Sequence, residues 1–264
     1  MGPPSSGFWL PHTSSVDFCE KDYLLSSYIA EFHNSWSSIV GIALLPALAL
    51  IFPRASNPTG EWRFTLMNLV LIAVGIGSFA LHSSLTALAQ SSDEVPMLYM
   101  NLVFLYALME GKSKLGSPRY PHLPLILVAI AVLQTIIYYT FQRYYGVFLF
   151  SYISVVVVVV LWTGHMAWHD ADPLSNRLWK AAIASYVLIG TPLWIVEMNM
   201  CDTLLPYFNA WGGLTFHILW HFGAGLGTYL TILFLTSMRV RAVYGEDPKL
   251  DFVCGICPII RRSK

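Results

Sequence analysis

Apolar runs of about 20 residues recur along the whole chain, and this feature limits the possible folds more than any other. Only 11% of the 264 residues are charged and 56% are hydrophobic, whereas a soluble domain carries about 25% charged residues. A helix of about 20 residues spans the hydrocarbon core of a bilayer. Because each backbone polar group must find a partner within such a segment, the runs predict membrane-spanning helices.

Seven of these runs predict seven transmembrane helices in an all-α bundle. They cover residues 30–52, 64–85, 95–109, 123–140, 147–168, 181–200 and 213–238. The third run is short and is expected to extend to Glu94 and Glu110. With no internal repeat or low-complexity linker, residues 1–264 are predicted to form one domain, with an N-terminal segment at 1–29 and a C-terminal tail at 239–264.

The distribution of Lys and Arg predicts the orientation in the membrane. Thirteen of the 15 basic residues fall on the side of the C-terminus: Arg54, Arg63, Lys112, Lys114, Arg119, Arg177, Lys180, Arg239, Arg241, Lys249, Arg261, Arg262 and Lys264. Only Lys21 and Arg143 fall on the other side. By the positive-inside rule, the C-terminus is expected in the cytosol and the N-terminus in the lumen or outside the cell.

Composition also limits the partners. The formal net charge is zero. The sequence has no basic patch with interleaved aromatic residues, so it does not predict nucleic-acid binding. The bilayer and its lipids are the expected partners, and nothing in the sequence predicts a particular protein partner.

The four cysteines fall into two pairs. Cys19 and Cys201 are expected on the oxidising side, where a disulfide is compatible with the compartment and two unpaired thiols are the alternative. Cys254 and Cys257 form a lone CxxC in the tail. Without a second pair, this motif is a weak zinc signal, and chance spacing or acylation near the membrane is the simpler interpretation.

Three histidines are the most informative polar residues within the predicted spans. His217 and His221 lie four residues apart on the seventh helix, so both imidazoles share one face. His82 is expected at the same luminal depth near the end of the second span. Three histidines at one depth predict a zinc site with an open fourth position, whereas interhelical hydrogen bonding is the alternative for a histidine pair alone. His165 and His169 share the spacing, but the cytosolic end of the fifth span suits a solvated helix end.

Two further polar residues accompany these histidines. Asp93 either caps the third helix or accepts a proton during catalysis. Ser78, one turn before His82, either hydrogen-bonds to its own helix or stabilises an oxyanion. An acidic loop, Asp17 to Asp22, together with Glu31 suits calcium, although a solvated loop is the alternative and no EF-hand spacing is present. Glu197 is a further acid within the sixth span.

Several motifs together resemble the alkaline ceramidases, most closely the phytoceramidase branch. They occupy residues 16–20, 28–32, 75–82, 93–97, 217–221 and 225–230, in family order. The resemblance implies a seven-helix hydrolase that cleaves the N-acyl amide of ceramides. It also implies residence in the endoplasmic reticulum or Golgi and dependence on calcium.

The resemblance also implies roles for particular residues. Zinc is assigned to His82, His217 and His221, and catalysis to Ser78 and Asp93. Calcium is assigned to Asp17, the backbone carbonyl of Phe18, Glu20, Asp22 and Glu31. A disulfide is assigned to Cys19 and Cys201. The chain departs from the family at Ser91-Ser92, Phe18, Asp22 and Glu197, where the family has Leu-Leu, Trp, Asn and Asp.

Two other classes of membrane protein remain as alternatives. Receptors of the adiponectin-receptor or progestin-receptor-like kind have an intramembrane zinc-histidine arrangement, but a cytosolic N-terminus and a longer soluble N-terminal region are expected in them. A channel or transporter would use intramembrane His and Asp as a proton relay and commonly shows internal repeats or broken helices.

Overall fold

Helices account for all the predicted apolar runs within residues 7–263, the part of the chain that the computed structural model describes. The helices are α1 (Phe32–Ser37), α2 (Leu44–Ile51), α3 (Pro53–Ser56), α4 (Trp62–Ser84), α5 (Ala87–Met109), α6 (Leu123–Phe141), α7 (Tyr145–His169), α8 (Pro173–Ile183), α9 (Thr191–Ala210) and α10 (Phe216–Tyr244). Two π-helical segments, Ser38–Ala43 and Ala184–Gly190, join α1 to α2 and α8 to α9. The fold is therefore a helical bundle, as the apolar runs predict.

Six segments among the described residues are long and apolar enough to cross a membrane. They are Phe32–Ile51, Trp62–Ser84, Leu123–Phe141, Tyr145–His169, Pro173–Ala210 and Phe216–Tyr244. The remaining predicted span lies within α5, which has 23 residues but carries Asp93, Glu94 and several other polar residues. A multi-pass membrane protein is thus supported, while the seventh crossing and the orientation of the termini stay predictions.

Two glycines allow close packing of the helices that carry the histidines. A Cβ added at Gly77 on α4 would lie 1.9 Å from the carbonyl oxygen of Ser92 on α5. A Cβ added at Gly225 on α10 would lie 2.1 Å from the carbonyl oxygen of Gly41 in the first π-helical segment. Neither approach leaves room for a side chain, so these glycines bring α4, α5, α10 and the first span into direct contact.

The segment predicted as a tail is largely folded. α10 continues to Tyr244, and a hairpin follows in which β1 (Lys249–Val253) pairs with β2 (Cys257–Arg261) in antiparallel register, Lys249 opposite Arg261. Cys257, Ile259 and Ile260 are fully buried and join the main core of the bundle. The two strands add a small sheet that apolar periodicity did not predict. Lys264 and residues 1–6 lie outside the described part of the chain.

Candidate metal centre and active site

Three buried histidines from two helices meet in the bundle. His82 lies in the last turn of α4, and His217 and His221 lie in the first turns of α10. One ring nitrogen from each lies within 4.8 Å of the others, and none of the three residues is more than 3% exposed. The structure therefore brings together the three residues that the sequence predicts as zinc ligands.

Hydrogen bonds orient two of the three rings. Nδ1 of His82 lies 2.5 Å from Oε2 of Glu31, and Nδ1 of His221 lies 2.8 Å from Oγ of Ser37. Because Glu31 is an acceptor and the Ser37 hydroxyl donates to the carbonyl of Asn34, both Nδ1 atoms act as donors. Nε2 of each ring then keeps its lone pair, the arrangement found in histidines that bind metal.

The third histidine has an unmet requirement. Nδ1 of His217 is buried and has no hydrogen-bond partner within the described chain. Buried polar atoms are almost always satisfied, so this nitrogen needs a partner. Three neutral imidazoles at close range form a donor set that suits zinc. The residues present therefore fit the metal that the resemblance implies.

Ser78 and Asp93 lie beside the histidines on neighbouring helices. Oγ of Ser78 lies 2.9 Å from Oγ of Ser38 and 3.4 Å from Nε2 of His221. Ser78 and Asp93 line one cavity together with His217 and His221. The close approach of α4 and α5 at Gly77 explains why they share a wall.

The structure excludes the capping alternative for Asp93. α5 begins at Ala87, two turns before the apolar run, and its N-cap is Thr86, whose side chain accepts a hydrogen bond from the N–H of Ala89. Asp93 therefore lies inside the helix, where no free N–H groups need a cap. Its carboxylate instead lines the cavity.

A cavity of about 480 Å³ extends from this polar group into the bundle. On α10 alone its lining runs from His217 to Thr231, a rise of about 21 Å along the helix. Most of the remaining wall is aliphatic or aromatic and includes Leu71, Met97, Phe148, Val156 and Ile183. A polar group at one part of an otherwise apolar cavity suits an amphiphilic ligand.

Three of the five predicted calcium residues form a second cluster, in the N-terminal loop and at the start of the first span. Carboxylate oxygens of Asp17, Asp22 and Glu31 lie within 4.8 Å of one another. Burial and the nearby charge of Asp17 raise the pKa of Asp22 to about 6, although His12, 3.4 Å from Asp22, acts to lower it. The cluster therefore concentrates negative charge that a bound cation would neutralise.

Glu20 and Phe18 have additional contacts that the sequence did not predict. The two carboxylate oxygens of Glu20 accept hydrogen bonds from the N–H groups of His33 and Asn34, at 2.6 and 2.7 Å, at the start of α1. The N–H of Phe18 donates to Glu31 over 3.3 Å. Its ring packs against the rings of His82 and His217, with centroids 4.8 and 4.2 Å apart. The N-terminal loop thus touches the histidine site directly.

Glu31 belongs to both clusters. Its Oε2 accepts from His82 and from the side chain of Asn34, while Oε1 accepts from Phe18. The residue is fully buried. One carboxylate therefore connects the acidic loop to a histidine of the metal centre.

Cys19 and Cys201 form a disulfide with their Cα atoms 5.5 Å apart. It joins the N-terminal loop to α9 across 182 residues of sequence. In contrast, Cys254 is exposed and Cys257 is buried beside Tyr229 and Leu45. Within residues 7–263, neither belongs to a group of three or more metal-ligating side chains.

Two residues hold the histidines in place, although the sequence predicted no such role for either of them. Glu197 accepts a hydrogen bond from the N–H of His217 over 2.6 Å and so caps the start of α10. Ser37 reaches His221 from the first span. An acid within an apolar span indicates a buried partner, so the contact of Glu197 could have been expected. A serine in an apolar run is common, so nothing in the sequence indicated the contact of Ser37 with His221.

Comparisons with known proteins agree with this geometry. A family model described as Ceramidase matches residues 10–259. The chain is 31% identical to alkaline ceramidase 3 of Mus musculus, with 96% of this chain and 94% of that protein covered. It is 29% identical to the alkaline ceramidase of Arabidopsis thaliana, with 100% and 98% covered, and 27% identical to that of Drosophila melanogaster, with 93% and 87% covered.

These relatives are ceramidases rather than receptors or transporters, so neither alternative class is favoured. The family model covers residues 10–259, the range in which the histidines, the acidic loop and the helices that hold them lie. The chain therefore belongs to the alkaline ceramidase family and is a ceramidase hydrolase, as the resemblance in its sequence predicted.

Proposed function

We propose that the protein is a zinc-dependent, calcium-modulated enzyme that hydrolyses the N-acyl amide of ceramides to a sphingoid base and a free fatty acid. The observation that carries the proposal is the buried trio His82, His217 and His221 beside an apolar cavity. Ceramide has one polar amide and two long hydrocarbon chains, which match the polar and apolar parts of that cavity. Phytoceramide is included among the substrates, since the motifs are closest to that branch.

The three histidines hold the metal, and their hydrogen-bond partners keep the rings in place. A bound zinc ion supplies Lewis acidity, which polarises an amide carbonyl and makes water a better nucleophile at neutral pH. Glu31 and Ser37 fix the orientation of His82 and His221 through Nδ1. Glu197 accepts a hydrogen bond from the N–H of His217 and so holds the start of α10, which carries His217 and His221.

Asp93 and Ser78 carry the proton transfer and charge stabilisation. The Asp93 carboxylate accepts a proton from the attacking water and later returns it to the departing sphingoid amine, so the proton count balances. The Ser78 hydroxyl donates a hydrogen bond to the carbonyl oxygen as negative charge develops there. Both residues line the cavity that His217 and His221 also line, which supports these roles.

The apolar wall of the cavity holds the hydrocarbon chains of the substrate. Because ceramide resides in the bilayer, we propose that it reaches the site laterally between helices rather than from water. Burying each CH₂ group contributes about 0.8 kcal/mol, so long chains bind more tightly than short ones. Turnover of a short-chain, water-soluble ceramide at the same KM as a long-chain one would contradict this access route.

The acidic loop binds calcium through Asp17, the carbonyl of Phe18, Glu20, Asp22 and Glu31. Two contacts support coupling of this site to the histidines. Glu31 hydrogen-bonds to His82, and the ring of Phe18 packs on His82 and His217. The Cys19–Cys201 disulfide holds the same loop to α9 and is consistent with a luminal position in the endoplasmic reticulum or Golgi.

The first test is amide hydrolysis by the purified protein in neutral detergent, with a panel of ceramide, dihydroceramide and phytoceramide. The variant His217→Ala is expected to lose at least a hundredfold in activity and to lose bound zinc, because one of three ligands is gone. His169→Ala is the matched control, since this histidine is exposed at the far end of α7. Equal activity in His217→Ala and wild type would contradict the assignment.

A further inference from the structure

A second cavity lies at the end of the bundle away from the histidines. It has a volume of about 420 Å³ and is lined by residues of α4, α5, α7 and α10 and of the loop after α5. Arg239 in its wall follows His221 by 18 residues on α10, a rise of about 27 Å. The proposed amide hydrolysis therefore makes no use of this cavity.

Four cationic side chains line it, and two of them lack an acidic partner. Lys112 pairs with Asp170 at 3.1 Å, and Arg239 pairs with Glu61 at 2.7 Å. For Arg119 and Arg241, no carboxylate oxygen lies within 4.0 Å in residues 7–263. Among the described residues, Asp170 is the only acid in the wall of the cavity, so the wall carries excess positive charge.

The remainder of the wall is apolar. It includes Phe64, Leu108, Trp162, Met166, Leu235 and Met238. A small inorganic anion gains nothing from such a surface, whereas an acyl chain does. The guanidinium of Arg241 donates to the backbone carbonyl of Asp170 over 3.4 Å but has no carboxylate partner among the described residues. A guanidinium without a carboxylate partner can bind phosphate through its other N–H donors. Together these features match a molecule with an anionic phosphate head and a hydrocarbon tail.

We propose that this cavity binds an anionic phospholipid of the cytosolic leaflet, with its phosphate between Arg119 and Arg241 and the start of an acyl chain against the apolar wall. The excess of Lys and Arg at this end predicts that it faces the cytosol, where anionic lipids concentrate. The site is separate from the amide hydrolysis site, so it adds lipid recognition that a ceramide substrate does not require.

The test measures lipid binding by the full-length protein in a neutral maltoside detergent. The probes are dioctanoyl phosphatidic acid, dioctanoyl phosphatidylcholine and inorganic phosphate. The variant Arg119→Gln/Arg241→Gln is expected to bind phosphatidic acid roughly ten- to thirtyfold more weakly, given about 1 kcal/mol for each cation at a membrane surface. Both side chains are exposed, and the contact of residue 119 with Glu110 uses its backbone N–H, so the variant should fold.

The matched control is Arg54→Gln/Arg177→Gln. It removes the same charge from exposed positions of the same end that do not line the cavity, and it should bind phosphatidic acid like the wild type. Equal weakening in the control would overturn the proposal in favour of general charge attraction. If phosphatidylcholine binds as tightly as phosphatidic acid, the cavity is an apolar groove without selectivity for charge. If inorganic phosphate binds as tightly as phosphatidic acid, the cavity is a site for a free anion. Either result would overturn the proposal. Ceramide hydrolysis, measured in parallel, keeps this outcome distinct from that of the proposed function.

Discussion

Both ends of the bundle contain a cluster of ionisable residues with at least one carboxylate, but the two clusters differ in what neutralises the negative charge. Near the histidines, Asp17, Asp22 and Glu31 converge, and within residues 7–263 the only side chains that pair with them are histidines. At the other end, Glu61 forms ion pairs with Arg63 at 2.6 Å and Arg239 at 2.7 Å. The Glu61 cluster is thus neutralised by residues of the chain itself, whereas the cluster near the histidines has an excess of negative charge among the described residues.

This difference separates a structural cluster from a functional one. Removing charges from water costs several kcal/mol for each ion, and the fold recovers this cost only when partners and hydrogen bonds are present. Arg239 meets this condition, since it also donates to the carbonyl oxygens of Gly111 and Ser113. The acidic loop meets it only when a cation arrives from outside, and we interpret its excess charge as a binding function.

The largest effect is expected from breaking the Glu61 cluster. Arg239→Met leaves Glu61 with Arg63 as its only remaining ion-pair partner, so the free energy of unfolding should fall by about 3 kcal/mol. Thermal unfolding in detergent would show this as a lower midpoint. Activity per folded molecule should stay near that of the wild type. The control, Arg241→Met, is exposed at the same helix end and should change stability by less than about 0.5 kcal/mol.

A smaller but more specific effect is expected from Glu31→Gln. The amide can still accept a hydrogen bond from His82, but it lacks the charge that raises the basicity of the ring and that contributes to the acidic loop. Loss of such an outer partner typically costs ten- to a hundredfold in metal affinity or activity. Zinc content and kcat/KM would both be measured. Glu61→Gln makes the same chemical change at the other end and should destabilise the protein without altering zinc affinity. An equal loss of zinc in both variants would contradict a specific role of Glu31 at the metal centre.

Calcium removal should affect only the acidic end. Chelation with EGTA is expected to lower activity several-fold, because the three carboxylates then repel one another beside His82. Asp17→Asn, which removes one charge from the acidic cluster, should reduce the response to calcium. Asp251→Asn, which removes an exposed partner of Arg261, should respond as the wild type does. Activity that is unchanged by chelation in all three proteins would contradict a calcium site.

The features of the fold and the site that could be predicted are those that produce a regular pattern in the sequence. The 20-residue apolar runs predicted the helices, and the four-residue spacing of His217 and His221 predicted a shared face. Matching His82 to the same depth required only the order of the spans. The acidic loop was predicted as a cluster because its residues are close in the chain.

The features that could not be predicted depend on contacts between segments that are far apart in the chain. Such contacts produce no regular pattern in the sequence. Ser37 reaches His221 from a π-helical segment, and an apolar run does not distinguish π from α geometry. The start of α5 was placed too late because its first two turns are polar and are satisfied by tertiary contacts, such as that of Gln90 with Ser15. The pairing of Glu61 with Arg239 joins residues 178 positions apart.

The smallest expected effect concerns pH and tests the Glu61 cluster alone. Burial alone would raise the pKa of Glu61, but hydrogen bonds from Arg239 and Arg63 outweigh it and lower the pKa below its ordinary value of 4.5. A lowered pKa in the folded state means that the ionised carboxylate stabilises the protein above pH 4.5 and that this contribution is lost as the pH falls through the folded pKa. The unfolding midpoint of the wild type should therefore exceed that of Glu61→Gln by a constant amount above pH 4.5, and the difference should shrink below it, because a protonated Glu61 resembles glutamine. A difference that stays constant down to the lowest pH at which the protein folds would show that packing, rather than charge, accounts for the contribution of Glu61.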